Sequence, residues 1–265
     1  MTFDFDDLMC ALLPNADGRG RVNPGEGWRQ GRTLYGGLTA AIAVRSAEAA
    51  GVSPHPLRSA QFAFTGVAGE SVESCVQPLA SGRSSDFVQV LCSSDDRIVL
   101  TALLCFGAHR DTASTYSSIP EHAREVPAPV DCPAYFNRPE VPHFTRQFEA
   151  RLAQGAQLAS GAQRPDLSLW LRHRSADAAD TASSIIALAD ALPPATMLTE
   201  SALIRVSSMT WHVDILCETF RGAGWHLARS VAEHTGAGYS SQDMSMWSED
   251  GSPVLRARQT IAVYP

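Results

Sequence analysis

Apolar and polar residues alternate along the last strand-like segment of each half of the chain. Leu100, Ala102, Leu104 and Phe106 share one face of the first; Leu255, Ala257, Gln259, Ile261 and Val263 share one face of the second. These segments belong to a longer echo. Residues 82–106 read GRSSDFVQVLCSSDDRIVLTALLCF, and about 155 residues later 236–261 read GAGYSSQDMSMWSEDGSPVLRARQTI, each with the pattern of a two-stranded hairpin. The copies match in pattern and differ in chemistry, because Gln259 stands where Leu104 stands in the first. A primary amide on an apolar face needs hydrogen-bond partners or costs roughly 1–3 kcal/mol, so the second copy is the one expected to carry a site.

The same patterning divides the rest of the chain. An irregular opening (14–31) precedes Tyr35-Gly36-Gly37, which leads into the small-residue helix LTAAIAVRSAEAA, ended by Gly51. Strands are predicted over 57–66, 71–79, 87–92 and 98–107. From 109 to 141 periodicity disappears and Pro120, Pro127, Pro129, Pro133 and Pro139 accumulate, the composition of an extended linker. Strands resume near 144–153 and 167–174, followed by a helix over 181–192 that Pro193-Pro194 stops. Four strands then close the chain, over 202–216, 224–234, 238–247 and 253–263, with a turn at 249–251. One helix followed by an antiparallel sheet, twice over, predicts an α+β fold in which sheet wraps a central helix. The expected divisions are 1–110, a Pro-rich linker over 111–142, and 143–265.

Composition narrows the chemistry. All 21 basic residues are arginine, and the absence of lysine excludes Schiff-base catalysis, a lysine-containing phosphate loop and the kinase lysine. G-x-S-x-G, H-E-x-x-H and G-x-G-x-x-G are also missing. A net charge of −7 with dispersed arginines argues against a nucleic-acid partner. No apolar run is long enough to span a bilayer, and the opening MTFDFDDLMC is acidic where a signal peptide is basic and then apolar, so a cytoplasmic location is expected. The six cysteines are scattered without a C-x-x-C pair, as reduced core thiols are.

Among polar residues, Asp190 follows Ile185, Ile186, Leu188 and Ala189 on the apolar side of the predicted second helix, one turn beyond Ile186. It lies in the last turn, where the helix dipole disfavours a carboxylate, so helix stability does not explain it; partial burial would raise its pKa toward the range of a general base. The glycines at 36 and 37 permit close approach to helix N–H groups that favour negative charge, or they simply allow tight packing. His212 and Asp214 share a strand face but have no third ligand in view, so no metal is expected. Arg83 fits either a solvated turn or a contact with a phosphate. Trp211, Trp225 and Trp247 fit core packing or pocket lining equally.

LYGGLTAAIAVRSAE, HPLRSAQFAFTGVAGESVESCVQPLASGRSSDF and SEDGSPVLRARQ, in this order and spacing, resemble the acyl-CoA thioesterase II family of double-hotdog proteins over nearly the whole chain. The resemblance implies two helix-wrapping sheets in one pseudo-dimeric unit, an acyl-CoA substrate, no cofactor or metal, and assembly into a homo-oligomer. It also implies that Asp190 in ALADALPP, Ser208 in SSMTWHVDI and Gln259 in RARQTI hold the water that attacks the thioester, with Gly36, Gly37 and Arg83 as substrate-binding candidates. The serine position is most often threonine in the family, and here Ser207 and Ser208 are adjacent with Thr210 close behind. Ser208 is preferred because it preserves the expected distance to Trp225. A regular strand would nevertheless group Ser207, not Ser208, with Met209, Trp211, Val213 and Ile215. The assignment therefore requires an irregularity at Ser208, or a site on the sheet's other face at the seam between the halves. Two further readings are an acyl-binding protein that does not hydrolyse, and a hotdog enoyl-CoA hydratase; the latter typically uses an Asp/His pair, and the candidate helix contains no histidine.

Overall fold

The computed structural model describes residues 4–119, 122–175 and 178–264. Thirteen strands and three α-helices are present among them: α1 (Phe5–Ala11), β1 (Arg19–Val22), β2 (Arg29–Gln30), β3 (Thr33–Leu34), α2 (Gly36–Ala49), β4 (Leu57–Phe64), β5 (Val72–Ser81), β6 (Ser85–Ser94), β7 (Arg97–Gly107), β8 (Phe148–Gln154), β9 (Asp166–His173), α3 (Ala182–Ala189), β10 (Arg205–Ile215), β11 (His226–Gly236), β12 (Tyr239–Ser248) and β13 (Pro253–Tyr264). Apart from the small β2–β3 ribbon, the strands form one eleven-stranded sheet in the order β1-β5-β6-β7-β4-β10-β13-β12-β11-β9-β8. The expected pair of sheets is thus fused through β4 and β10, which run antiparallel with Trp211 opposite Phe62.

Helices α2 and α3 pack against each other, α2 resting on β5, β6 and β7 and α3 touching β9. Alanines dominate α2, and ten of its residues are buried; small side chains let a helix lie close to both the sheet and a second helix. Gly51, in the left-handed region at φ 62°, ends this segment as the sequence predicts. Thr181 caps α3 by accepting a hydrogen bond from the Ser184 N–H.

Three irregularities of the first half recur at matching places in the second. Register shifts fall between Leu57 and Ser59 in β4 and between Ser208 and Thr210 in β10. Others fall between Pro78 and Ala80 and between Ala232 and His234, and again between Cys92 and Ser93 and between Met246 and Trp247. Leu104 lies opposite Ala60 and Val88; Gln259, in the matching place, lies opposite Trp211 and Gln242.

Two segments differ from the sequence-based expectation. The opening is partly regular: Phe5, Leu8 and Met9 of α1 are buried at helical spacing, and β1 pairs with β5 at the sheet edge. The Pro-rich segment, whose Pro120 lies outside the described residues, is docked rather than free. Its Ala123 and Cys132 pack with Trp170, Leu227 and Trp247; Trp170 Nε1 donates to the Pro127 carbonyl at 2.9 Å, and Arg151 Nη1 to that of Pro129 at 3.1 Å. Prolines break strand and helix periodicity, but they leave carbonyls free as acceptors for side chains of the sheet they cover.

Candidate active site

On the inner face of the sheet Gln242 and Gln259 stand side by side on β12 and β13, both buried. Gln259 Nε2 donates to Asp190 Oδ1 at 3.0 Å and to Ser208 Oγ at 2.8 Å, while its Oε1 accepts from Gln242 Nε2 at 2.8 Å. The structure therefore brings Asp190, Ser208 and Gln259 together. The bulge at Met209 decides which serine joins them. It inserts one residue ahead of Thr210 and shifts the preceding alternation, so Ser208 faces inward with Gln259 and Ser207 is exposed.

Asp190 is the C-terminal cap of α3, and the end of that helix meets the start of α2. The Gly37 N–H donates to the Asp190 carboxylate. The unfavourable dipole of the helix that carries Asp190 is thus opposed by the favourable N-terminus of the helix it faces. Glycine at 36 and 37 is a steric requirement of this approach: a Cβ on Gly36 would lie 3.1 Å from Asp190 Oδ2, and one on Gly37 would lie 2.8 Å from Asp190 Cβ and collide with the Tyr35 ring. Burial pushes the Asp190 carboxyl up to about 7, against the opposing pull of the hydrogen bonds from Gln259 and Gly37. At neutral pH the group exchanges a proton readily, as a general base or acid must.

Tyr35 and Phe144 close the other side. The Tyr35 hydroxyl donates to the Ala187 carbonyl at 2.6 Å, fastening the start of α2 to the last turn of α3, and the ring stacks on Phe144 at 4.0 Å. Burial, and secondarily the Asp190 charge, hold its pKa well above the usual phenol value, so it is a neutral donor. The first half also contributes Phe64, whose ring would lie 3.3 Å from a Gly36 Cβ. Trp211, opposite Gln259 and with its ring 5.5 Å from that of Phe62, is buried with an indole N–H that meets no acceptor. The cluster thus lies on the inner face, close to where the halves meet; of the two alternatives, the irregularity at Ser208 is present and the sheet's other face is not used.

The remaining candidates lie elsewhere. Arg83 is exposed on the β5–β6 turn and makes no hydrogen bond or ion pair with a described residue. His212 and Asp214 pair with each other at 3.1 Å, about half exposed. Trp225 lies under the Arg172 guanidinium, 4.4 Å from its ring centre. Among the described residues no three His, Cys, Asp or Glu side chains gather in a way that could hold a metal ion. No helix among them is long and apolar enough to cross a membrane.

Gln242 and Tyr35 are the two residues that sequence reasoning missed. The signal for Gln242 was present: it stands in alternation with Met244 and Met246, as Gln259 does with Ile261. Tyr35 offered no such signal, since one aromatic before a helix is ordinary core.

An α+β double hotdog with a polar cluster at its seam defines a class of protein, and comparison with known proteins narrows it. Residues 24–107 match the family model of the acyl-CoA thioesterase N-terminal domain, and 120–263 that of the acyl-CoA thioesterase C-terminal domain. The chain belongs to the acyl-CoA thioesterase family. A conserved protein of unknown function with a hot dog fold from Alicyclobacillus acidocaldarius superposes with a TM-score of 0.89 at 22% identity, covering 100% of this chain and 99% of the other. The acyl-CoA thioesterase II TesB2 of Mycobacterium marinum superposes at 0.75 with 19% identity, covering 97% of each chain. The tesB protein of Mycobacterium avium subspecies paratuberculosis gives 0.77 at 15% identity, covering 99% and 100%. At these identities the likeness is one of fold. No curated protein matches the chain by sequence.

Proposed function

We propose that the protein hydrolyses a fatty acyl-CoA thioester to the free acid and coenzyme A, with Asp190 as general base toward water. The observation that carries this reading is a buried carboxylate with a pKa of about 7, held between a helix N-terminus and an amide that donates to both it and a serine. Asp190 takes a proton from water as the water oxygen attacks the thioester carbon. The carbonyl electrons move onto oxygen, then return as the carbon–sulfur bond breaks, and the proton held by Asp190 passes to the departing thiolate. Both hydrogens of Gln259 Nε2 are engaged by Asp190 and Ser208, so Gln259 organises the two groups that hold the water. The Ser208 oxygen accepts from Gln259, which leaves its O–H to donate to water or substrate. The orphan Trp211 N–H is a second donor on the same face, and donors aimed at developing negative charge lower the barrier.

Thiol release from a panel of acyl-CoA substrates of graded length tests the reading. Hydrolysis by the wild type, with kcat/KM rising as pH passes upward through about 7, is expected, because Asp190 must be ionised. Binding of acyl-CoA without thiol release at any chain length would instead identify an acyl-binding protein.

A further inference from the structure

Gln242 bonds neither Asp190 nor Ser208, yet it lies at the origin of the hydrogen-bond chain that reaches both. The chain begins at the backbone N–H of Ala195, which donates to Gln242 Oε1 at 3.2 Å. Ala195 is fully buried and opens a 3-10 turn (Ala195–Leu198) directly after Pro193-Pro194. Thr196 in that turn bonds Thr235 on β11 at 3.0 Å, and Thr235 bonds Ser240 on β12 at 3.0 Å, so the turn is braced against the strand that carries Gln242. A backbone N–H can only donate. It therefore fixes the oxygen of Gln242 toward the turn and the NH2 toward Gln259; this in turn fixes the oxygen of Gln259 toward Gln242 and its NH2 toward Asp190 and Ser208.

We propose that Gln242 is a positioning residue that holds Gln259 in the donor orientation toward Asp190 and Ser208 throughout the reaction. The proposal rests on the hydrolase reading above, and the need for it follows from that chemistry. When Asp190 has taken the proton from water, a free amide at 259 gains as much by turning its oxygen to the new carboxylic O–H as by keeping its NH2 there. Once turned, it stabilises the protonated acid and no longer donates to Ser208. Gln242 opposes that rotation because its own NH2 would then face the NH2 of Gln259, and Ala195 prevents Gln242 from turning in compensation. A buried clash of two donors, with the oxygen of Gln259 removed from its partner, is costly enough to keep one orientation. Since the Gln259 hydrogen bond lowers the Asp190 pKa, holding it in place also keeps the base ionised closer to neutral pH.

The test compares wild type, Gln242→Leu, Gln242→Glu, Gln259→Leu and the Gln242→Leu/Gln259→Leu double variant. It measures kcat and KM for acyl-CoA and the titration of the Asp190 carboxyl by carbon-13 NMR, assigned with Asp190→Asn. Gln242→Leu is expected to lower kcat about 10–100-fold, the scale on which partners that orient an active group act, with KM little changed. It should also raise the Asp190 midpoint by roughly a pH unit, the worth of one charge-assisted hydrogen bond. On the Gln259→Leu background the same change should add almost nothing, because its effect passes through Gln259. Gln242→Glu keeps the shape, so it supplies the same readouts where the leucine variant does not fold; its ionised carboxylate accepts rather than donates and would turn Gln259 round, so its loss should deepen with rising pH. A wild-type kcat and midpoint in a folded Gln242 variant, or a loss that adds in full in the double variant, overturns the proposal. If the wild type releases no thiol, the hydrolase reading fails, while the Asp190 midpoint still decides whether Gln242 governs Gln259.

Discussion

The two halves of this protein share one pattern of pairing and three matched irregularities, yet at three matched positions one half is apolar and the other polar. Leu57, Val88 and Leu104 occupy in the first half the register positions of Ser208, Gln242 and Gln259 in the second. All three first-half residues are buried. They show what the position requires when it does only structural work. The second half carries at least two amides and a carboxylate in the same apolar setting, and they are tolerated because they satisfy one another and the Ala195 and Gly37 N–H groups. The bulge between Ser208 and Thr210 has a counterpart between Leu57 and Ser59, where no polar group needs aiming. It is therefore a property of the shared fold that the second half uses for its site.

Asp190→Asn breaks the comparison at its centre and should have the largest effect. Turnover is expected to fall about 10²–10⁴-fold, since the base is lost while its shape is kept. Stability should move the other way. The carboxyl's pKa lies at about 7 in the folded protein against 3.8 as its ordinary value, so the folded state binds this proton more tightly than the unfolded chain. The stability it contributes is complete below about 3.8 and is lost as pH rises toward 7. Asp190→Asn should consequently be more stable than wild type at pH 8, by an amount on the order of a few kcal/mol, and melt higher, with the advantage shrinking in acid. Thermal melts at pH 8 and 5 check this; an equal difference at both would show that the carboxyl is not strained by burial.

Leu104→Gln makes the reciprocal change, placing in the first half the amide that the second half uses. Its cross-strand neighbours there are Ala60 and Val88, neither of which offers a side-chain partner. The variant should lose roughly 1–3 kcal/mol of stability, the cost of a buried unsatisfied polar group, with thioester hydrolysis unchanged. Denaturant unfolding measures the first and thiol release the second. A stability equal to wild type would mean that the first half accommodates polarity as readily, and that the second half's network is not what makes its amides tolerable.

Much of the fold was legible because its elements carry strong periodicity. The alternation in β7 and β13, the alanine-rich α2 and the Pro193-Pro194 stop all follow from local pattern. The short α1 was not read, although Phe5, Leu8 and Met9 have helical spacing, because seven residues with two acids in the first turn look like a polar terminus. The docking of the Pro-rich segment was hidden for another reason: its contacts are carbonyl oxygens meeting Trp170 and Arg151, and backbone acceptors leave no trace in side-chain pattern. At the site, Asp190 and Gln259 stood out as polar residues on apolar faces. Gln242 has the same signature, but the network that gives it meaning closes only when β12, β13 and the turn after α3 come together.

The smallest expected effect separates two adjacent serines and tests the bulge directly. Ser208→Ala removes the acceptor that Gln259 Nε2 meets at 2.8 Å and the hydroxyl available to water or substrate, so turnover should fall about 10-fold or more. Ser207→Ala, at an exposed position opposite Ala262, should leave turnover within about twofold and stability within about 0.5 kcal/mol, as surface substitutions usually do. Deleting Met209, the extra residue of the bulge, would leave Ser208 opposite Ile261 and Thr210 opposite Thr260 in an uninterrupted ladder, with Ser208 still on the face of Gln259 and Ser207 still outward. If that deletion variant folds, the sensitivity to alanine should therefore stay at 208. Sensitivity that moves to 207 would show that the strand re-forms with the opposite alternation.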